Sequence, residues 1–320
     1  MRVMLAFDGS TGAEVARDLV ARLPWPAGTA ITVVAALERG PQLFGVPELG
    51  VVPQDAREAE EMLVADLQES LQQAATSLRT ASRTVETAVV RGRPASALVD
   101  EAAALKPDLL VIGTRGHGPL ASMLLGSVSA EVVDHAPCPV LVARGPSVNG
   151  LVVAVDGSES AQRAVATLMA WPVFRTVPTT VAAVTEPPAT WAVSIEGAFY
   201  PSWVELSENA FKERREQLAE VATRTCEQLN RSGIAASVKL RAGDPAAELI
   251  AVAREAKADL IVVGSRGLSA LPRLFLGSVA RNVLLHAPTS VLVVHEPRER
   301  VKADEKAQVE ARLGVGPQPG

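Results

Sequence analysis

Residues 113–144, GTRGHGPLASMLLGSVSAEVVDHAPCPVLVAR, return 151 positions later as residues 264–295, GSRGLSALPRLFLGSVARNVLLHAPTSVLVVH. Three glycines and a His-Ala-Pro tripeptide keep their places in both copies. An earlier segment repeats as well, because VMLAFDGS at 3–10 matches VVAVDGS at 152–158. A repeat that spans almost the whole chain is typical of tandem domains. The 320 residues are therefore predicted to form two copies of one fold.

The repeat also predicts the domain boundaries. We expect one domain over residues 1–146, a second over 147–297, and a flexible C-terminal tail over 298–320. The copies join at RGPSVNG (144–150), whose Gly, Pro, Ser and Asn residues suit a short linker. The tail has mixed charge and a Gly/Pro-rich end, which is typical of frayed segments.

Short apolar runs alternate with helical patterns in each copy. In the first copy the patterns predict strands at 3–7, 30–37, 84–91, 109–112 and 140–143, and helices at 12–23, at 55–82 and from Pro94. Alternation of this kind favours parallel strands, right-handed crossovers and helices on both faces of a sheet. The fold class predicted is α/β, with two tandem doubly wound domains.

Composition excludes several classes of protein. A net charge of −5 argues against a nucleic-acid binder with a broad basic face, although backbone N–H groups can still bind a local anion. Apolar runs are too short for a membrane span and the N-terminus does not resemble a signal peptide, so we expect a soluble cytoplasmic protein. Cys138 and Cys226 are too few for a disulfide framework and are interpreted as inert, small apolar residues.

The glycine loop is the candidate ligand site, because ligands of doubly wound sheets bind at the carboxyl ends of strands. Gly113 and Gly116 would allow a positive φ and close approach of backbone to a ligand. Residues 126–127 would begin the next helix, where free N–H groups and the helix dipole favour an anion. The Ser127 hydroxyl would cap that helix, bind phosphate, or do both. The alternative, that these glycines only turn the chain, stays open at this point.

Three motifs together resemble the universal stress protein family, and in particular its ATP-binding branch. They are Gly-x2-Gly-x9-Gly-Ser, Asp-Gly-Ser after the first strand, and His-Ala-Pro-Cys-Pro-Val before the last strand. The match covers nearly the whole chain as two tandem domains. It implies an adenine nucleotide alpha hydrolase-like fold, with a five-stranded parallel sheet in each domain. It also implies ATP as the ligand, with any Mg²⁺ carried by the nucleotide.

The resemblance assigns roles to particular residues. Asp8 and Asp156 would lie near adenine and ribose, while Ala36 and Val184 would offer backbone groups to adenine. Val128 and Val279 would add backbone N–H contacts. The residues expected to hold ribose and phosphates are Gly113, Gly116, Gly126, Ser127, Gly264, Gly267, Gly277 and Ser278.

Several of these side chains have a purely structural alternative. Asp8 and Asp156 could cap the turn that follows each of them, and the sequence alone favours that role, whereas the resemblance favours ligand binding. Arg115 and Arg266 could contact phosphate or remain solvated. His135 and His286 are expected to interact with carbonyls at a helix end. His117 occurs in one copy only and is interpreted as a loop residue, and no cluster has the spacing of metal ligands.

Three functions compete at this stage: a nucleotide-binding stress or signalling protein, a slow ATPase, and a dimerising scaffold with vestigial sites. Binding ranks above turnover, because the copies share no His-carboxylate or Cys-His arrangement. The expected partner is an adenine nucleotide, with neither nucleic acid nor membrane. The last strands, 139–143 and 290–295, are expected to pair within the chain, and a homodimer stays open. The aromatic segment 191–203 is expected to cover a ligand rather than to form an oligomer contact.

Overall fold

The structure, a computed structural model, describes residues 1–38, 54–114, 125–187, 201–267 and 276–295, without the side chains of 54–61 and 201–207. The aromatic segment 191–203, His117 and the tail therefore lie outside the described residues and side chains. The first repeat runs β1 (Arg2–Ala6), α1 (Thr11–Arg22), β2 (Thr29–Leu37), α2 (Gln54–Leu78), β3 (Arg83–Arg91), α3 (Pro94–Leu105), β4 (Leu109–Gly113), α4 (Ser127–His135), β5 (Val140–Ala143).

The second repeat has the same order of elements. It runs β6 (Leu151–Ala154), α5 (Glu159–Ala170), β7 (Thr179–Thr185), α6 (Pro201–Arg231), β8 (Ala236–Ala242), α7 (Pro245–Glu255), β9 (Leu260–Gly264), α8 (Ser278–His286), β10 (Ser290–Val294). One boundary differs from expectation. The helix predicted to reach Ser82 ends at Leu78, and residues 79–82 turn the chain into β3, with the Ser82 carbonyl accepting from the Gly28 N–H at 2.9 Å.

All ten strands belong to one sheet, in the order β3-β2-β1-β4-β5-β10-β9-β6-β7-β8. Neighbouring strands are parallel throughout each repeat, and only β5 and β10 run antiparallel. Each repeat thus contributes a five-stranded parallel half, and the predicted α/β class is confirmed. Within each half, the strand order reverses beside the first strand, between β1 and β4 or between β6 and β9. Such a reversal opens a crevice at the carboxyl ends of the strands.

The core lies in two layers, one on each face of the sheet. Helices α1, α2, α5 and α6 cover one face, and α3, α4, α7 and α8 cover the other. Valine, leucine and alanine supply nearly all of the buried side chains, as the low aromatic content requires. Cys138 belongs to the second layer, and burial raises the pKa of its thiol to about 12, so that the sulfur stays protonated and unreactive at neutral pH. Among the described residues, no helix is both long and apolar enough to cross a bilayer.

The repeats meet where β5 pairs with β10, with Leu141 opposite Leu292. Arg144 follows β5, and its guanidinium donates to the carbonyls of Leu284 at 2.5 Å and Thr289 at 3.3 Å. Leu284 is in the last turn of α8, where unpaired carbonyls attract a cation. The first repeat therefore supplies a C-terminal cap to a helix of the second.

His295 holds the equivalent position after β10, and its Nε2–H donates to the Val133 carbonyl of α4 at 2.6 Å. Burial lowers the pKa of this imidazole, and the positive charge of Arg266 also lowers it. The Val133 and Cys138 carbonyls and the Asp134 carboxylate act in the opposite direction but do not overcome the burial. Asp134 also pairs with Arg281 of α8 at 3.3 Å. The seam between the repeats is the β5–β10 pair with the residues that follow each strand. Its two ends carry different chemistry, since Arg144 is a permanent cation and His295 is a titratable ring.

The lowered pKa of His295 predicts an acid-dependent loss of stability. An unfolded histidine titrates near pH 6.5, so below that pH the unfolded state binds a proton that the folded state resists. The free energy of unfolding should fall as the pH drops from about 6.5 toward the lower folded-state pKa. Urea unfolding measured from pH 7.5 to 5 would record this slope.

The His295→Gln variant is the matched control for that slope. Glutamine keeps an N–H donor for the Val133 carbonyl but does not titrate. The variant should therefore lose less stability than the unsubstituted protein over the same pH interval. Identical slopes for the two proteins would show that His295 does not contribute to the pH dependence.

Candidate functional site

A cavity of about 510 Å³ opens in the second repeat, at the carboxyl ends of β6, β7 and β9. It lies beside the reversal of strand order, where the sequence analysis expected a ligand. Every residue predicted for the second site lines it: Asp156, Val184, Gly264, Arg266, Gly267, Gly277, Ser278 and Val279. The fold therefore brings together groups that are separated by up to 123 positions along the chain.

The first repeat places its predicted residues at equivalent positions. Asp8 follows β1, Ala36 lies near the end of β2, and Gly113 ends β4. Residues 126–128 form the start of α4. Arg115 and Gly116 lie outside the described residues. The two repeats thus share a framework, and the cavity is described for the second.

Asp8 and Asp156 shape the backbone in both repeats. Asp8 Oδ1 accepts from the Ser10 N–H at 3.0 Å, and Asp156 Oδ1 accepts from the Ser158 N–H at 2.9 Å. Both acids therefore cap the turn that follows them, which was the structural alternative. The other oxygen of Asp156 points across the cavity, because a Cβ built on Gly267 would lie 3.2 Å from Oδ2. One carboxylate can hold the turn and still face a ligand.

Gly113 and Gly264 serve a purpose that differs from the expected one. Neither has a positive φ. A Cβ on Gly113 would lie 2.8 Å from the Ala13 nitrogen, and one on Gly264 would lie 2.6 Å from the Ser160 carbonyl carbon. The positive φ that Gly113 was expected to allow is therefore not used. Both residues are glycine because the first turn of α1 or α5 packs directly on the end of the strand.

The helices after both glycine loops begin without a side-chain cap. Gly126 and Gly277 are the N-cap residues, and Ser127 and Ser278 are the first helical residues. Of the alternatives for the Ser127 hydroxyl, capping of α4 is therefore absent, and phosphate binding stays a prediction. The described ends of each loop meet, since the Gly126 N–H donates to the Thr114 carbonyl at 2.7 Å and the Gly277 N–H donates to the Ser265 carbonyl at 2.8 Å.

These uncapped helices leave backbone donors at the cavity. The first helical hydrogen bond of α8 is donated by the Arg281 N–H to the Gly277 carbonyl, at 2.9 Å. The N–H groups of residues 278–280 precede it and have no partner within the helix. Ser278, Val279 and Ala280 all line the cavity. This end of the cavity is suited to an anion, because orphan N–H groups and the helix dipole act there together.

Part of the apolar lining comes from helices that the sequence analysis did not assign to the site. Leu218 of α6 and Leu249 of α7 face the cavity from opposite faces of the sheet. Arg214 of α6 is also in the lining, and its Nη2 donates to the Asp156 carbonyl at 3.2 Å. The signal available in the sequence was the helical spacing of Arg214 and Leu218, one turn apart on the same face.

The remaining candidates fall outside the cavity. The His135 Nδ1 lies 2.9 Å from the Glu131 carbonyl in the last turn of α4, as expected for a histidine at a helix end. His286 lies beside a separate groove between α7 and α8. Among the described residues, no group of three or more His, Cys, Asp or Glu side chains could hold a metal ion.

Comparison with known proteins identifies the family. The sequence model described as the Universal stress protein family matches residues 1–144 and again residues 149–295. The chain belongs to the universal stress protein family. A universal stress protein of Mycobacterium tuberculosis is 28% identical over 310 residues, which cover 92% of this chain and 96% of that protein. One from Thermus aquaticus is 36% identical over 143 residues, which cover 44% of this chain and 97% of the relative.

Solved structures agree with the tandem fold of this universal stress protein. The crystal structure of a universal stress protein from Archaeoglobus fulgidus has a TM-score of 0.62 and 19% identity, and the match covers 92% of this chain and 98% of that one. At this identity the likeness supports the fold alone. It extends over both repeats, as the two matches to the family model do.

The tight packing at Gly264 predicts a large effect for one methyl group. Gly264→Ala should destabilise the second repeat by about 1–3 kcal/mol, because the new Cβ meets backbone of α5 that cannot move aside. Gly145→Ala is the matched control, since a Cβ there would meet nothing within 4 Å. Denaturant unfolding of both variants would measure the difference. Equal stabilities would mean that α5 does not pack on the strand end as described.

Proposed function

We propose that this universal stress protein binds an adenine nucleotide, as ATP, at one site in each repeat, and that the bound nucleotide controls its role in the stress response. One observation carries the proposal: all eight residues expected at the second site line a single cavity at the switch point of the sheet. Its volume, about 510 Å³, lies within the usual range for small-molecule sites.

The phosphate end of the proposed site is the start of α8. The N–H groups of residues 278–280, which have no partner within the helix, supply donors without side-chain charge, so binding does not depend on a basic surface. Arg266 lies in the same lining and adds a guanidinium, which suits phosphate oxygens. The acidic protein as a whole can therefore still bind a polyanion locally.

The adenine end of the proposed site is apolar. Ala182 and Val184 of β7 lie in the lining beside Leu218 and Leu249. A flat base can be held between such side chains while strand-end backbone groups pair with its edge. Asp156 also lines the cavity and approaches Gly267, and its carboxylate would serve as an acceptor for ribose hydroxyls.

Binding is favoured over turnover. Among the described residues, the lining contains two carboxylates and two guanidiniums but no histidine or cysteine. We therefore infer that nucleotide occupancy, rather than rapid hydrolysis, is the working state.

The first experiment is to denature the purified protein and quantify the released nucleotide by chromatography. About two ATP per chain would support two retentive sites. Mostly ADP would favour slow hydrolysis and would call for a turnover assay with added ATP. A protein that carries no nucleotide and gives no heat on titration with ATP would contradict the proposal.

Proline at the first helical position tests the phosphate end directly. Ser278→Pro removes one N–H and one hydroxyl, yet the fixed φ of proline suits this position, so the helix should persist. The expected result is roughly a tenfold loss of ATP affinity at the second site, the scale of one charge-assisted hydrogen bond. Calorimetric titration would measure the loss.

Ser127→Pro is the matching variant for the first repeat. Either substitution alone should weaken one site and spare the other. Thermal unfolding without nucleotide should be unchanged for both variants. Full ATP affinity at both sites in the double variant would contradict the assignment of the helix starts to phosphate.

A further inference from the structure

The two candidate sites differ in charge at one position. Each residue of the second cavity has a counterpart in the first repeat, 148 positions earlier up to Glu186 and 151 positions earlier from Arg214 onward. The charged members Asp156, Glu186 and Arg266 all have a counterpart of the same charge. Arg214 does not, because the equivalent residue is Leu63.

Packing supports the alignment of α2 with α6. The fully buried Leu78 and Leu229 lie 151 positions apart on the inner faces of these helices. Ser70 approaches Gly9 in the first repeat, and Val221 approaches Gly157 in the second, again 151 positions apart. The two helices therefore contact their sheets in the same frame. Arg214 and Leu63 occupy the same place relative to the two sites.

The surroundings of these two residues show what the difference does. Arg214 is partly buried at the cavity, and its Nη2 reaches the Asp156 carbonyl at 3.2 Å. Asp156 Oδ2 lies beside Gly267 on the loop that leads to the phosphate end. Leu63 is instead 54% exposed, which is unusual for a large apolar side chain. A guanidinium thus borders the second site where the first repeat has a hydrocarbon.

We propose that Arg214 contacts the phosphates of the bound nucleotide, so that the second site binds phosphorylated nucleotides more tightly than the first. This inference rests on the nucleotide binding proposed above. The guanidinium donates to the Asp156 carbonyl through Nη2, and its other N–H groups can serve an anionic oxygen within reach. With Arg266 it forms a pair of cations around the polyphosphate, and a charge-assisted bond of this kind changes affinity about tenfold.

The test exchanges the two residues between the repeats. Arg214→Leu is made on the Ser127→Pro background, so that the second site dominates the titration, and Leu63→Arg is made on the Ser278→Pro background. Calorimetry with ATP and adenosine should show about tenfold weaker ATP binding for Arg214→Leu and an unchanged affinity for adenosine. Leu63→Arg should strengthen ATP binding by a similar factor. Arg214→Lys should retain part of the affinity, because the charge remains.

Three results would overturn the inference, and they are distinguishable. Unchanged ATP affinity in Arg214→Leu would exclude a contact between Arg214 and the nucleotide. Equal losses for ATP and adenosine would show that the guanidinium acts on the nucleoside rather than on phosphate. Absence of ATP binding in the unsubstituted protein would overturn the proposed function along with the inference. Urea unfolding of each variant, without nucleotide, shows whether the fold is intact.

Discussion

The antiparallel pairing of β5 with β10 determines the layout of the whole molecule. Each repeat supplies a parallel half-sheet with one edge formed by its last strand, and an unpaired edge of that kind is prone to association. Pairing the two edges covers them both and produces a continuous sheet of ten strands. Because the pairing is antiparallel, the carboxyl ends of the two halves point in opposite directions. The candidate sites therefore lie at opposite ends of the sheet.

The sequence predicted the strands and helices well, because alternation of apolar runs and helical patterns is a local property. The residues predicted for the second site all line one cavity, and their binding of a ligand stays a prediction. The sequence did not predict how helices pack against distant strand ends and the cavity. The reason for glycine at Gly113 and Gly264 is the approach of α1 and α5, which no local pattern reveals. Arg214 was missed for the same reason, because its role depends on which face of α6 lies over the cavity.

The carboxylate of Asp156 can cap a turn and face the cavity at the same time. One oxygen fixes the turn after β6, and the other faces Gly267 across the cavity. A side chain held by the backbone in this way loses little further freedom when a ligand arrives, which favours binding. The glycine loop is organised similarly, since its two ends are joined by the bond between Gly277 and Ser265.

The interface between β5 and β10 can be asymmetric, because both repeats belong to one chain. A dimer of identical single domains must present the same residue at both ends of such an interface, because the twofold operator repeats every contact. A chain that contains both repeats does not have that requirement, because its two halves can differ in sequence. Here Arg144 caps α8 while His295 caps α4, so the symmetry is broken where each repeat touches a helix of the other. The two helices whose N-termini are candidate anion sites therefore differ at their C-termini: α8 faces a permanent cation, whereas the charge beside α4 depends on protonation of His295.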